Sequence, residues 1–544
     1  MIFPLFYLLA SLLPTSAQSL PRSQLLDDFS TLSGWKTIVS DGAALTLHTS
    51  TDAAGASMQM DFDLSGGAGY AIAEKNFTID LPANYQFSFD LRGETPVNNF
   101  EFKILDEHEN VHWIKKLNVT YPTTWTRQRI KKRHLSFAWG PAPGKELKHV
   151  RALQFVVSAG TGGKGSIWID NFRFEPLDEQ RQSEDLTVIQ DASTKTGTPA
   201  SGMTSWTSRT LPDSLVMDFD YVREVGGVVI DWDSAGFAES YDVLLSDDGT
   251  LWNTAYSVLS GKPGRAYVPC GEAEGRYLKL LIRRSHRGER AIIRGMEIKG
   301  PSFSSSANTL YRAIATDSPR GFFPKYFQDQ QSYWTVLGVS GDTKEALMNE
   351  EGQVEVDRLR FSLEPFLFAD GQLITWNHVT TQPSLRNGYL PIPAVTWTCK
   401  NAWELTIEAV AGGTRGHSFL GVRYSLKSTA NGFRGKLFIA IRPFQVNPPW
   451  QALNIEGGTA LIDSIAHRNG VVIVDGTPVI PFEAPSGFGA LEFDQGDITG
   501  FLARGELPPV QHVKDHAGHA SAALAYDFNL GRGQTKEISL AIPF

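Results

Sequence analysis

The sequence predicts an all-β protein: two sandwich-sized domains followed by a larger strand-rich region. Three observations carry this. Apolar residues alternate with polar ones at period two in many short runs, as in Tyr85-Gln-Phe-Ser-Phe-Asp-Leu91 and Trp403-Glu-Leu-Thr-Ile-Glu-Ala-Val410. Fifty glycines, 29 prolines and 11% aromatic residues describe a loop-rich β chain. The runs are broken by turn chemistry such as Asp248-Gly249, where glycine tolerates positive φ and aspartate bonds nearby backbone.

A length of 544 residues accommodates roughly three or four domains. The net charge of -9 argues against nucleic acid as a partner. Residues Met1 to Ala17 read as a signal peptide, with an apolar run from Ile2 to Leu13 and Thr15-Ser16-Ala17 as the cleavage site. Its n-region lacks Lys and Arg. The run is too short to span a bilayer, so export to the periplasm or the exterior is expected, without membrane insertion. Cys270 and Cys399 are expected to be free, buried thiols.

The first domain is placed at residues 25–176. Phe100 to Ile104 alternates apolar with charged residues, and Gly165 to Phe174 reads as the closing strand. Asp27-Asp-Phe29, Gly34-Trp35 and the closing Ile167-Trp-Ile-Asp-Asn171 resemble a carbohydrate-binding module of the galactose-binding-like jelly-roll type. A polysaccharide or cell-surface glycan is the partner this resemblance implies. Trp113, Trp125, Trp139, Tyr70 and Tyr121 are candidate sugar platforms, since aromatic planes pack the apolar C–H face of a ring. The same rings could equally be core. The run Arg127-Gln-Arg-Ile-Lys-Lys-Arg-His134, with Arg129 and Arg133 at its centre, could meet an anionic glycan or form a solvated strand face. The resemblance further implies a structural calcium ion held by Asp27 or Asp28 together with Asp170. No cofactor is otherwise required. Calcium takes six to eight oxygens, and a turn bond to backbone is the competing role for Asp170.

Residues 177–184 read as a linker. A second domain spans residues 185–300. Its order of Trp206-Thr-Ser208, then Val228-Val-Ile-Asp-Trp-Asp233, then Ser246-Asp-Asp-Gly-Thr-Leu-Trp252, then Gly275-Arg-Tyr-Leu-Lys-Leu280 resembles the discoidin, or coagulation factor 5/8 type C, family of β-sandwiches. Between Asp191 and Trp206 the chain is short where that family carries an acidic ligand-side loop. A spacer role is therefore weighed beside a binding role.

Gly300 to Ala307 is a Pro/Ser-rich joint. The last region, residues 308–544, contains strand-like runs at Val354–Phe361, Trp403–Val410, Lys436–Ile441 and Lys536–Ile542. Together with Asn308–Gly338 and Arg442–Trp450, these resemble the β-supersandwich that precedes an (α/α)6 barrel in several glycoside hydrolase families. The fold class is thus tandem galactose-binding-like sandwiches plus a β-supersandwich.

Glycoside hydrolysis needs two carboxyl groups across the scissile bond. Glu350, Glu351, Asp357, Glu364, Asp370, Glu404 and Glu408 show no spacing that selects a pair, and the catalytic residues are unknown from sequence. His512, His516 and His519 are read as a flexible loop. No amphipathic helices for a barrel follow. The expectation is a secreted carbohydrate-binding protein, the non-catalytic front part or a relative of a polysaccharide-active glycoside hydrolase, with a C-terminal catalytic domain or partner. An adhesion or scaffold protein, and a hydrolase with an unrecognised site in the last domain, are the alternatives.

Overall fold

The computed structural model describes residues 23–52, 55–177, 185–189, 205–400, 402–451 and 456–544. The signal-peptide reading at Met1–Ala17, the linker from 178, and the shortened loop up to 204 lie outside the described residues. The chain divides into two compact units, Met1–Arg181 and Gln182–Phe544.

The first unit is a sandwich of two six-stranded antiparallel sheets. Its strands are β1 (Gln24–Asp27), β2 (Lys36–Val39), β3 (Ala44–Asp52), β4 (Gly55–Leu64), β5 (Tyr70–Asp80) and β6 (Tyr85–Glu94). They continue with β7 (Asn98–Asp106), β8 (Val111–Val119), β9 (Thr126–Lys131), β10 (Ser136–Trp139), β11 (His149–Ser158) and β12 (Gly163–Pro176). One sheet runs β3-β4-β12-β6-β9, with β1 paired to β12, and the other runs β10-β8-β7-β11-β5-β2. Phe87, Phe89, Phe100, Phe102, Phe155 and Phe172 point between the sheets and are all nearly inaccessible. Phe155 sits 5.0 Å from Phe89 and 5.0 Å from Phe172, both edge to face. That geometry suits the ring quadrupoles. Truncating such a ring to alanine costs about 3–5 kcal/mol.

In the second unit, the described residues between 186 and 299 form a seven-stranded sheet. Its two longest strands, Asp213–Trp232 and Gly264–Ser285, pair along nearly their whole length. Register shifts at Asp218/Arg223 and Val225/Gly227 interrupt that ladder; such bulges bend a strand and raise its twist. The predicted alternation holds: Val228, Ile230, Tyr241, Val243 and Leu245 are buried in one core. In the turn after Ala238–Ser246, Asp248 Oδ1 accepts from the backbone N–H of Thr250 and Leu251, and Gly249 takes φ 75°.

The remainder packs an eight-stranded against a nine-stranded antiparallel sheet. The core between them is filled from Trp397, Trp403, Leu405, Tyr424, Ile439 and Leu540, among others. The expected strand Val354–Phe361 is a correction. Only Val354–Glu355 is extended, and the next strand starts at Ser362. Leu359 takes φ 60°, and the Glu355 carboxylate accepts from the N–H groups of Leu359 and Val446, which fixes a turn where alternation implied a strand.

The Pro/Ser-rich joint is itself ordered. Ser306 caps an α-helix at Ala307–Thr316, accepting from Thr309 N–H. Cap oxygens of this kind satisfy helix-start donors and contribute about 1 kcal/mol. Leu310, Tyr311 and Ile314 of the helix join Val229 and Phe303 from one side and Phe444 and Phe493 from the other in a separate apolar cluster. A Cβ at Gly226 would lie 2.0 Å from the Gly300 carbonyl, and one at Gly227 would lie 2.4 Å from the Phe303 ring. Those two positions therefore need glycine for close approach, whatever their φ.

Candidate functional site

The aromatic candidates of the first unit do not form one surface. Strand alternation puts Phe100, Phe102 and Ile104 of β7 in the core and Asn99, Glu101 and Lys103 on the outer face. Register then aligns Trp113, Lys103, Gln154, Glu74 and Lys36 as one row across β8, β7, β11, β5 and β2. Trp139 joins this face from β10. Its ring meets that of Trp113 edge to face at 5.3 Å. Lys103 Nζ lies 5.5 Å from the Trp113 ring centre and 5.1 Å from that of Trp139. Tyr70, opposite Ser158 on β11, stands on the same face. By strand spacing and rise it is about 20 Å diagonally from Trp113.

The floor of this face is polar, sheltered and fully paired. Glu101 is 3% exposed and Lys103 7%. Lys103 Nζ donates to Glu101 Oε2 at 2.9 Å, and Ser158 Oγ to Glu101 Oε1 at 2.8 Å. Lys36 Nζ donates to Glu74 Oε1 at 2.8 Å, while Gln154 Nε2 donates to Glu74 Oε2. The hydrogen bonds from Lys36 and Gln154 hold the Glu74 carboxyl below its ordinary range, against the larger opposing effect of burial. Trp139, in contrast, is 49% exposed, and Tyr70 is 41%. Exposed rings thus flank a rigid polar floor.

Trp125 and the basic run belong to the other sheet. Ile130 of β9 faces the core, so Arg127, Arg129 and Lys131 point outward, opposite Asp90, Ser88 and Gln86 of β6. Arg127 Nε lies 2.6 Å from Asp90 Oδ1. Arg92 is stacked between two tryptophans, 5.2 Å from the Trp125 ring centre and 4.1 Å from that of Trp168. Arg133 sits in a single 3-10 turn at Lys132–His134. Joining these residues to Trp113 and Trp139 in one surface is therefore corrected: adjacency in sequence spans both sheets. Tyr121 is core, 5% exposed, with its hydroxyl donating to the Asn99 carbonyl.

The three carboxylates weighed for calcium are engaged by protein donors. Asp27 Oδ2 accepts from Lys75 Nζ at 2.6 Å and Trp35 Nε1 at 2.8 Å, and Oδ1 accepts from Phe29 N–H. Asp28 closes a turn onto Ser30, and Asp170 Oδ1 accepts from Asn171 N–H. The Lys75 ammonium stands where a divalent ion would need Asp27. The described residues contain no group of three or more His, Cys, Asp or Glu able to hold a metal. This donor set does not fit calcium.

In the second unit, the seven-stranded sheet carries Lys279 Nζ only 3.6 Å from the Trp252 ring centre. Trp206 pairs with Ile293 at the start of the described part. The family model for the F5/8 type C domain matches residues 182–296. This segment is an F5/8 type C domain. The Cys270 thiol of the F5/8 type C domain is buried and free, and burial pushes it up to about 12. Cys399, in the sheet pair beyond, is free but only half-buried.

Among solved structures, the chain is similar to a family 11 carbohydrate-binding module from Clostridium thermocellum in complex with a β-1,3-1,4-mixed-linked tetrasaccharide. The identity is 16% over 29% of this chain and 97% of that one, with a TM-score of 0.25. It is also similar to an exo-β-agarase, at 14% identity over 29% of this chain and 25% of that one, TM-score 0.23. No curated protein matches.

Beyond the F5/8 type C domain, five of the seven acidic residues considered for hydrolysis are paired. Glu350 and Glu351 share Lys325, Asp357 meets Lys344, and Glu408 meets Arg386 and Arg423. Glu364 binds the buried Arg442. The histidines do not form a loop cluster: His512 opens a short strand, His512–Lys514, and His519 is buried at 8% exposure. Sequence reading missed Glu355, whose carboxyl burial pushes up to about 7. Its place in an alternating run gave no sign of that.

Among the described residues, no helix is long and apolar enough to cross a membrane.

Proposed function

We propose that this protein binds carbohydrate through the outer face of the β10-β8-β7-β11-β5-β2 sheet. The observation that carries the reading is the edge-to-face pair of Trp113 and Trp139 beside Lys103. Sugar recognition needs an exposed aromatic plane for the ring's C–H face and fixed polar groups for its hydroxyls. Trp139 supplies the first. Glu101, Lys103, Gln154 and Glu74, locked by one another, supply the second at low entropic cost. The distance to Tyr70 accommodates an oligosaccharide in place of a single sugar unit.

The polymer is a polysaccharide or cell-surface glycan met outside the cell, consistent with the apolar run Ile2–Leu13. The protein acts as an accessory to, or a relative of, a glycoside hydrolase. Affinity electrophoresis and glycan arrays with the full chain test the reading. Binding to a neutral or acidic β-glycan that falls on Trp139→Ala supports it; absence of binding across plant, algal and bacterial glycans sinks it.

A further inference from the structure

A cavity lies wholly inside the second unit, between the F5/8 type C domain and the sheet pair. It has a volume of about 230 Å³. Tyr241, Tyr267, Tyr311, Phe322, Phe323 and Phe493 give it largely aromatic walls. The helix Ala307–Thr316 contributes Tyr311, and the segment after Leu491 contributes Phe493. Aromatic walls with a few convergent polar groups are the usual make-up of a small-molecule site.

The polar groups at its border divide into two kinds. The carboxylates are all engaged. Asp317 accepts from Arg265 and the Tyr267 hydroxyl. Asp497 accepts from Arg442 at 3.0 Å and from Thr499. Asp494 accepts from the Tyr256 hydroxyl at 3.0 Å and Leu259 N–H at 2.8 Å. Lys262 differs: it lines the cavity, and its ammonium makes no hydrogen bond or ion pair among the described residues. Burial lowers its pKa, opposed by the charge of Asp497. The Gly496 backbone lets it pass, since a Cβ there would lie 2.9 Å from Lys262 Cε. His519 also lines the cavity and is nearly inaccessible, and its Nδ1 has no hydrogen-bond partner. Its ring is wedged edge-on against Tyr311 at 5.3 Å.

The Lys262 ammonium is half-buried with no carboxylate in direct contact, and a buried polar nitrogen without a partner, such as His519 Nδ1, costs about 1–3 kcal/mol. The cavity thus offers one ammonium and one imidazole nitrogen to a flat or ring-shaped body. We propose that the cavity between the F5/8 type C domain and the sheet pair binds a small ring compound bearing a carboxylate, of the size of one uronic acid unit. The carboxylate meets Lys262, a ring substituent meets His519 Nδ1, and the ring lies among Tyr311, Phe323 and Phe493.

This site is separate from the sugar-binding face of the first unit, and its test is independent of it. Calorimetric titration of the full chain uses D-glucuronate and benzoate as probes, with D-glucose and acetate as neutral and ringless controls. Binding of at least one probe is expected, weakened about ten-fold or more by Lys262→Met. Lys262→Met should keep the wild-type melting temperature without ligand, and Trp139→Ala should leave probe binding unchanged. The proposal is overturned if neither probe binds, if acetate or glucose binds as well as the probes, or if Lys262→Met binds them like wild type.

Discussion

The guanidinium of Arg442, wholly buried, holds Glu364 Oε2 at 2.9 Å through Nη1 and Asp497 Oδ2 at 3.0 Å through Nη2. Nη1 also donates to the Phe322 carbonyl. One strand residue thereby ties its own sheet to two of the loops that border the cavity, those of Phe322 and Asp497. Removing one member leaves a buried charge uncompensated, which costs about 3–5 kcal/mol. Arg442→Met should lower the unfolding free energy of the second unit, read from denaturant titration, by that amount, and Arg442→Met with Glu364→Leu should recover part of it. Equal loss in single and double variants, followed by intrinsic fluorescence, would remove the argument.

The division of the aromatic residues between two sheets makes a sharp contrast. Trp139→Ala should weaken glycan binding about ten-fold or more, since exposed tryptophans at binding centres carry large shares of affinity. Trp125→Ala should leave it unchanged, because Trp125 stacks on Arg92 of the opposite sheet. Far-UV circular dichroism of both variants should match wild type. A reversed ranking would move the site to the basic face.

Burial, ahead of the pairing with Lys325, pushes the Glu351 carboxyl up to about 7 from an ordinary value of 4.5. The folded state therefore holds a proton that the unfolded state releases between those values. This contribution to stability is full below pH 4.5 and is lost as pH rises through 7, at most about 3 kcal/mol. His519 acts in the opposite sense: burial lowers it to about 4, so its contribution is present above 6.5 and lost as pH falls through 4. Comparing Glu351→Gln with wild type isolates the first effect. The gap between their unfolding free energies should shift in favour of the variant from pH 5 to pH 7; parallel curves would show that Glu351 titrates normally.

Tyr311 sits 4.8 Å from Phe444, edge to face, and shares a cluster with Val229 and Phe303. It links the F5/8 type C domain to the sheet pair through one side chain. Tyr311→Ala should cost about 3–5 kcal/mol. Calorimetry should then resolve two transitions for the second unit in place of one shared transition. A single transition merely shifted in temperature would show that the link lies elsewhere.

Sequence alternation located most strands because their inner faces are continuous apolar rows, as at Tyr85–Leu91 and Trp403–Val410. It failed at Val354–Phe361, where alternation persists but Leu359 adopts positive φ and a glutamate binds the turn. The candidate face was half legible. Trp113, Trp139 and Tyr70 could be nominated by type, but their common side depends on register across β8, β7, β11 and β5. Lys103 and Glu101 looked like any solvated strand face; only the neighbouring tryptophans distinguish them. Lys262 could not be found from sequence, because its place in the cavity depends on the segment of Asp494 and Asp497, more than 200 residues away.

Gly226 and Gly227 sit at the start of the run by which the F5/8 type C domain is recognised, yet the atoms they make room for, the Gly300 carbonyl and the Phe303 ring, belong to the joint beyond it. The domain therefore carries in its own strand a socket for the chain that follows. In a transplant to another host it would arrive with an empty socket and an exposed Val229. The domain and the capped helix that plugs it therefore pack as one unit, and a cut at residue 300 would separate a lock from its key.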